Sequence, residues 1–129
     1  MAFSNYLEDQ ITGWINGSAF ASAPTSTFVQ LYSQDPTDAG SATGALYTRI
    51  AVAAGGWTRG TGGNGTLTNT GAITITSSAA SGATATHVAV FDTITGGNML
   101  FAGALASSKT IASGDEVKFN ATALTLTVA

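Results

Sequence analysis

The residues able to do chemistry are few, and their spacing limits what each can do. His87 is the single histidine and cysteine is absent. A nucleophilic triad on His87 would need an activated serine, and no G-x-S-x-G elbow occurs. One histidine without thiols also rules out a tetrahedral zinc site of the usual N/S donors. Two acidic pairs remain, Asp35 with Asp38 and Asp115 with Glu116. Either could hold Ca²⁺ weakly, yet neither carries the spaced Asp/Asn set of an EF-hand loop. Both lie in turn sequences, where carboxylates bond their own backbone, so turn formation is the expected role. The run Gly60-Thr61-Gly62-Gly63-Asn64-Gly65 matches G-x-G-x-x-G letter for letter. A dinucleotide fingerprint needs a helix after the glycines and an acidic residue about 20 positions on. Here Thr66-Leu67-Thr68-Asn69-Thr70 follows, which is β-like, and Ala85 stands where the acid should be. The run is expected to be a glycine-rich surface loop. Asn16-Gly17-Ser18, Asn64-Gly65-Thr66 and Asn120-Ala121-Thr122 match the glycosylation triplet, which carries little meaning without a secretory signal. No enzyme activity, cofactor or metal is expected, and His87 reads as a packing or interface residue on a strand, near Phe91.

Two kinds of element must position whatever function exists. Near the N-terminus, Phe3, Tyr6, Leu7, Ile11, Trp14 and Ile15 recur at helical steps and form one apolar stripe. Asn5 followed by Glu8 suggests a capping box, with Glu8 and Asp9 favouring the positive helix end. Gly13 and Gly17 are placed to fray or stop the helix. From Thr25 onward the period changes to two. Val29 and Leu31 oppose Phe28, Gln30 and Tyr32; Ile73 and Ile75 alternate with Thr74 and Thr76; Val88 and Val90 oppose His87, Ala89 and Phe91. Met99, Phe101 and Leu105 alternate with Leu100, Ala102 and Ala104, while Val117 is in phase with Phe119 and Leu124, Leu126 and Val128 with one another. Half-buried antiparallel strands have this pattern, and Thr suits their exposed face. Turn sequences such as Asp35-Pro36-Thr37-Asp38, Gly96-Gly97-Asn98 and Ser113-Gly114-Asp115 separate the runs. The low-complexity stretch 77–85 is expected to be a surface loop. The fold class is therefore mainly β, an antiparallel β-sandwich or jelly roll with a short N-terminal α-helix. A single domain over 1–129 is expected, with a helical segment at 1–16 and the sandwich over 25–129. Val29, Leu31, Ile73, Ile75, Val88, Val90, Leu124 and Leu126 are its candidate core.

Composition bears on partners. Only 9% of residues are charged, against about 25% in typical soluble domains. Leu, Ile, Val and Phe number 27 of 129 residues, close to the ~20% level below which a packed core becomes doubtful. A lean core with so few charges suggests surface covered by further subunits, because interface cores are depleted of charge. The helix stripe is the candidate assembly interface: Phe3, Tyr6, Leu7, Ile11, Trp14 and Ile15. It would dock on the chain's own sandwich or on a neighbouring subunit. A membrane-surface helix would want Lys or Arg on its polar face, where this one has Glu8 and Asp9. The N-terminus lacks the basic and apolar regions of a signal peptide, and no run approaches 18 apolar residues. Net charge is −3, and Arg49, Arg59, Lys109 and Lys118 never cluster. Nucleic acid, which needs a basic patch, is not an expected partner.

Several segments together resemble a known family. They are Leu31-Tyr32-Ser33-Gln34-Asp35-Pro36-Thr37-Asp38-Ala39-Gly40, Tyr47-Thr48-Arg49, Thr86-His87-Val88-Ala89-Val90-Phe91-Asp92 and Gly97-Asn98-Met99-Leu100-Phe101-Ala102-Gly103-Ala104-Leu105. Ser4-Asn5-Tyr6-Leu7-Glu8, Ser108-Lys109-Thr110, Ser113-Gly114-Asp115 and Leu124-Thr125-Leu126 extend the likeness to nearly the whole chain. It is similar to small virion proteins of tailed bacteriophages, described as capsid cement (decoration) or tail-fibre proteins. Where those often carry an acidic residue and more glycines before Tyr-x-Arg, this chain has Thr43-Gly44-Ala45-Leu46, which implies a remodelled loop. The resemblance implies a virion structural protein, assembled in the host cytoplasm and trimeric. The first expectation is a capsid cement subunit that binds the assembled head through the major capsid protein and stabilises it. The alternative is a tail-fibre or tail-adaptor protein contacting tail components. More remotely, a carbohydrate-binding sandwich would use Trp57, between Gly56 and Arg59, as its platform.

Overall fold

The computed structural model describes residues 1–63, 65–76 and 83–127. Its elements are β1 (Ala2–Phe3), α1 (Asn5–Ile15), β2 (Ser26–Tyr32), β3 (Ala45–Ala53), β4 (Trp57–Arg59) and β5 (Thr66–Asn69). Then follow β6 (Ile73–Thr76), β7 (Ala83–Phe91), β8 (Met99–Ile111), β9 (Glu116–Phe119) and β10 (Thr125–Thr127). Strands form a five-stranded sheet in the order β1-β8-β7-β2-β3, a three-stranded sheet β10-β5-β4 and a two-stranded sheet β6-β9. Every pairing is antiparallel. The large sheet contributes Val29, Leu31, Val52, Val88, Val90, Phe101 and Ile111 to one core; the small sheets add Ile73, Ile75, Val117 and Leu126, with Leu124 just before β10. The large sheet thus packs across an apolar layer against the two small ones, a mainly β, antiparallel sandwich with one short helix. All eight residues expected in the core are buried.

Local chemistry explains the elements. The run of glycines is the β4–β5 hairpin loop, with Gly62, Gly63 and Gly65 at positive φ, a backbone conformation that glycine adopts without steric cost. Asp35 and Asp115 act as turn formers, their carboxylates accepting from the Thr37 and Ala112 amides at 2.9 and 3.1 Å. Asn69 is fully buried and ties three segments together. Its amide donates to the Gly71 and Asn120 carbonyls at 2.8 and 2.9 Å and its oxygen accepts from the Leu124 N–H at 2.9 Å.

Four expectations need correction. The helix begins one residue earlier than the capping box implied: Ser4 is the N-cap, its hydroxyl oxygen accepting from the Leu7 N–H at 3.2 Å. Phe3 precedes the helix and belongs to β1. Residues 83–85, expected in a loop, open β7, and Ala85 is fully buried there; residues 77–82 and Val128 lie outside the described residues. Met99 and Phe101 do not share a face. Val90 pairs with Phe101 and Phe91 with Met99, so β8 advances two residues where β7 advances one. That bulge swings Met99 to the outer face, into a second cluster with Tyr32, Ala89 and Phe91.

Candidate functional site

The N-terminal arm, β1 and α1 together, is seated on the start of β8. Ala2 and Phe3 pair with Ala102 and Phe101. The Ser4 N–H donates to the Leu100 carbonyl at 3.0 Å and its hydroxyl donates to the Met99 carbonyl, while the Asn5 N–H reaches the Asp38 carbonyl at 2.9 Å. Gly103 leaves room for this approach, since a Cβ there would come within 3.0 Å of the Met1 Cα. Ser4 therefore caps the helix and anchors it to the sheet at once. At the other end Gly17, at φ +93°, closes a Schellman turn. The Ser18 and Gly17 amides donate to the Gly13 and Trp14 carbonyls at 2.9 and 3.1 Å.

Between the arm and the sandwich lies an apolar groove of about 620 Å³. Phe3, Tyr6 and Leu7 form its arm side, Trp57, Leu67, Phe101 and Leu126 its body side, and Phe20 to Pro24 its rim. Trp57, the residue expected to serve a carbohydrate-binding sandwich, lines the body side of this groove. It is half-buried, its ring sits edge-on to Phe101 at 5.8 Å, and its N–H donates to the Thr27 hydroxyl at 2.8 Å.

The predicted stripe divides. Phe3, Tyr6, Leu7 and Ile11 are half-buried, the first three facing the groove. Trp14 and Ile15 point outward, 61% and 73% exposed, and Trp14 lies 6.3 Å from the ring of Phe20, itself 46% exposed. No residue of α1 is buried. Trp14, Ile15 and Phe20 thus leave three large apolar side chains exposed at the end of the arm.

A second feature escaped the sequence reading. Gln30 is buried in β2 where the pairing with β3 shifts register between Val29 and Leu31. Its amide donates to the Leu46 and Tyr47 carbonyls at 3.2 and 2.7 Å, tying the two strands together at the irregularity. Tyr47 sits at φ +62°, strained for an aromatic residue. The Gln30 oxygen accepts from Arg49 Nε at 2.8 Å. The guanidinium lies 3.5 Å over the Phe91 ring and donates to the Thr93 and Gly96 carbonyls at 2.7 and 2.8 Å. Asp92 secures the same loop by accepting from the Asn98 backbone and side chain at 2.7 and 2.9 Å. Burial lowers the Arg49 pKa from its ordinary value, opposed by Tyr32 and Asp92, and burial raises that of Tyr32 against the pull of Arg49. The clamp presents Ile94, half-exposed, at the β7–β8 turn. One signal was available: an arginine next to a β-branched run in a chain with only four cations.

Residues with catalytic potential do not converge. His87 lies half-buried on β7 with its Nδ1 2.9 Å from the Thr86 hydroxyl. Among the described residues no three of the His, Asp and Glu side chains gather to hold a metal, and no helix is long and apolar enough to cross a membrane.

Comparison with known proteins identifies a family. The sequence profile of the family described as Podophage GP4 fiber I protein gp80 matches residues 2–127. No curated protein shows significant similarity to the chain.

Proposed function

The chain belongs to the family of the podophage GP4 fiber I protein gp80, and on that premise we propose that it is a non-enzymatic fibre subunit that associates with itself and attaches through its N-terminal arm. Membership makes it a phage virion structural protein. The observation that carries the finer reading is the outward-facing group Trp14, Ile15 and Phe20, set on an arm with no fully buried helical residue. Each such side chain contributes ~1.5–3 kcal/mol when fully buried, a sizeable driving force left unused by the isolated chain. A charge-poor surface, with 9% charged residues, suits burial between repeated subunits. That same property fits capsid cement as the second reading, since a cement subunit too would bury surface against the head it binds.

Gold-labelled antibody to the chain, imaged on intact virions by negative stain, tests the location. Label on fibres is the expected result. Label over the head would replace the fibre reading with cement, and virions without label would refute both. Deleting residues 1–16 tests the arm: β-sheet circular dichroism should persist while self-association and attachment are lost. Collapse of the sheet itself would make the arm part of the core instead.

A further inference from the structure

The arm and the seat that receives it form a matched pair, and nothing in their contacts requires both to come from one chain. On the seat side are Phe101 and Ala102 as pairing partners, the Gly103 gap for Met1, and the Met99, Leu100 and Asp38 carbonyls. The join between arm and body is residues 17–25, exposed throughout. Within that join the bonds run back to the arm. Gly17 and Ser18 bond the end of α1, the Ala21 N–H donates to Gln10 Oε1 at 2.8 Å, and Phe20 meets Trp14. Among the described residues the join's hydrogen bond to the body is at its far end, where the Thr25 carbonyl accepts from the Ala54 N–H at 3.2 Å. Nine residues span up to about 30 Å when extended, enough to carry an arm to an adjoining molecule.

We propose that in the assembled protein the N-terminal arm of each subunit sits on the β8 seat of a second copy of this chain. This rests on the reading of the chain as a self-associating virion subunit and goes further by naming the element exchanged. One observation favours exchange over the closed form. The exposed Trp14, Ile15 and Phe20 cluster where arm meets join, the point at which exchange brings two bodies together. Exchange keeps every bond of the seat and gives these three side chains a neighbouring surface to cover them.

The chain's lack of cysteine makes the test direct. Ala2 and Ala102 are antiparallel partners, and such partners have Cα atoms about 4.5–5.5 Å apart, within disulfide range. The Ala2→Cys/Ala102→Cys double variant is assembled, oxidised and run on a non-reducing gel. Exchange predicts that most of the chain migrates as covalent multimers. A bridge confined to single chains overturns the proposal, whether the particle is an oligomer or a monomer. Asn5→Cys with Asp38→Cys, both exposed, repeats the test should the first pair disturb folding. Failure of both pairs to bridge also overturns it, because the arm is then not on this seat. Virions that carry the antibody label while all bridges stay within single chains would leave the fibre reading intact and remove only the exchange.

Discussion

Replacing Asn69 with Ala should destabilise the fold by about 3 kcal/mol. The side chain is fully buried and makes three hydrogen bonds that hold the end of β5 to Gly71, to Asn120 and to the approach of β10. Gly71 and Asn120 are exposed, so water can replace the lost donor at their carbonyls. Each of these bonds then accounts for only about 0.5–1.5 kcal/mol. The Leu124 N–H differs: its bond to Asn69 is buried, and Leu124 itself is only 4% exposed. An orphaned donor there costs about 1–3 kcal/mol. The total is a large share of the ~5–15 kcal/mol that stabilises a typical domain. Urea unfolding followed by circular dichroism, at matched chain concentration, reads the change. Asn69→Asp keeps an acceptor for Leu124 but turns a carboxylate oxygen toward two carbonyls, so it should be no milder at neutral pH. It should recover in part when acid protonates the new carboxyl and restores a donor. A loss below about 1 kcal/mol for Asn69→Ala, with an unchanged urea dependence, would refute the claim that this side chain joins the three segments.

Two other substitutions probe the β2–β3 irregularity and its clamp. Among the described residues the buried Tyr47 hydroxyl has no hydrogen-bond partner, so Tyr47→Phe should raise stability by about 1 kcal/mol, and a fall in the thermal midpoint would mean that the hydroxyl is paired. Arg49→Lys loses the flat cation over Phe91 and the paired carbonyl contacts. It should cost about 1–2 kcal/mol and speed amide exchange in residues 92–98 about tenfold, while the centre of β2 stays protected; unchanged exchange would show that the loop does not depend on the clamp.

The alternation of Val29 with Leu31, Ile73 with Ile75, Val88 with Val90 and Leu124 with Leu126 was enough to identify one side of every strand concerned, because a two-residue period maps directly onto the two faces of a sheet. It failed at Met99, where the bulge depends on the pairing of β8 with β7 and leaves no mark in β8 alone. The helix stripe was legible as a stripe. Its division was not, since the seat for Phe3, Tyr6 and Leu7 is built from Trp57, Phe101 and Leu126, residues far along the chain. Asn5 was read as the cap that Ser4 in fact provides, since both residue types serve; the Met99 carbonyl that engages Ser4 lies 95 residues away. Gln30 and Arg49 were hidden for the same reason, because their partners lie across strands and in a turn more than 40 residues from Arg49.

The pairing of β1 with β8 joins the two most distant parts of the large sheet, and this separation has a kinetic consequence. Folds dominated by non-local pairings form in milliseconds to seconds, because chain closure must precede the contacts that reward it. The arm is among the earliest of the described residues to leave the ribosome, yet its seat is complete only after residue 103 has been made. In a chain made at about 5–20 residues per second, the arm stays undocked for seconds while the rest is synthesised. Throughout that interval, the finished seats already in the cell belong to other molecules.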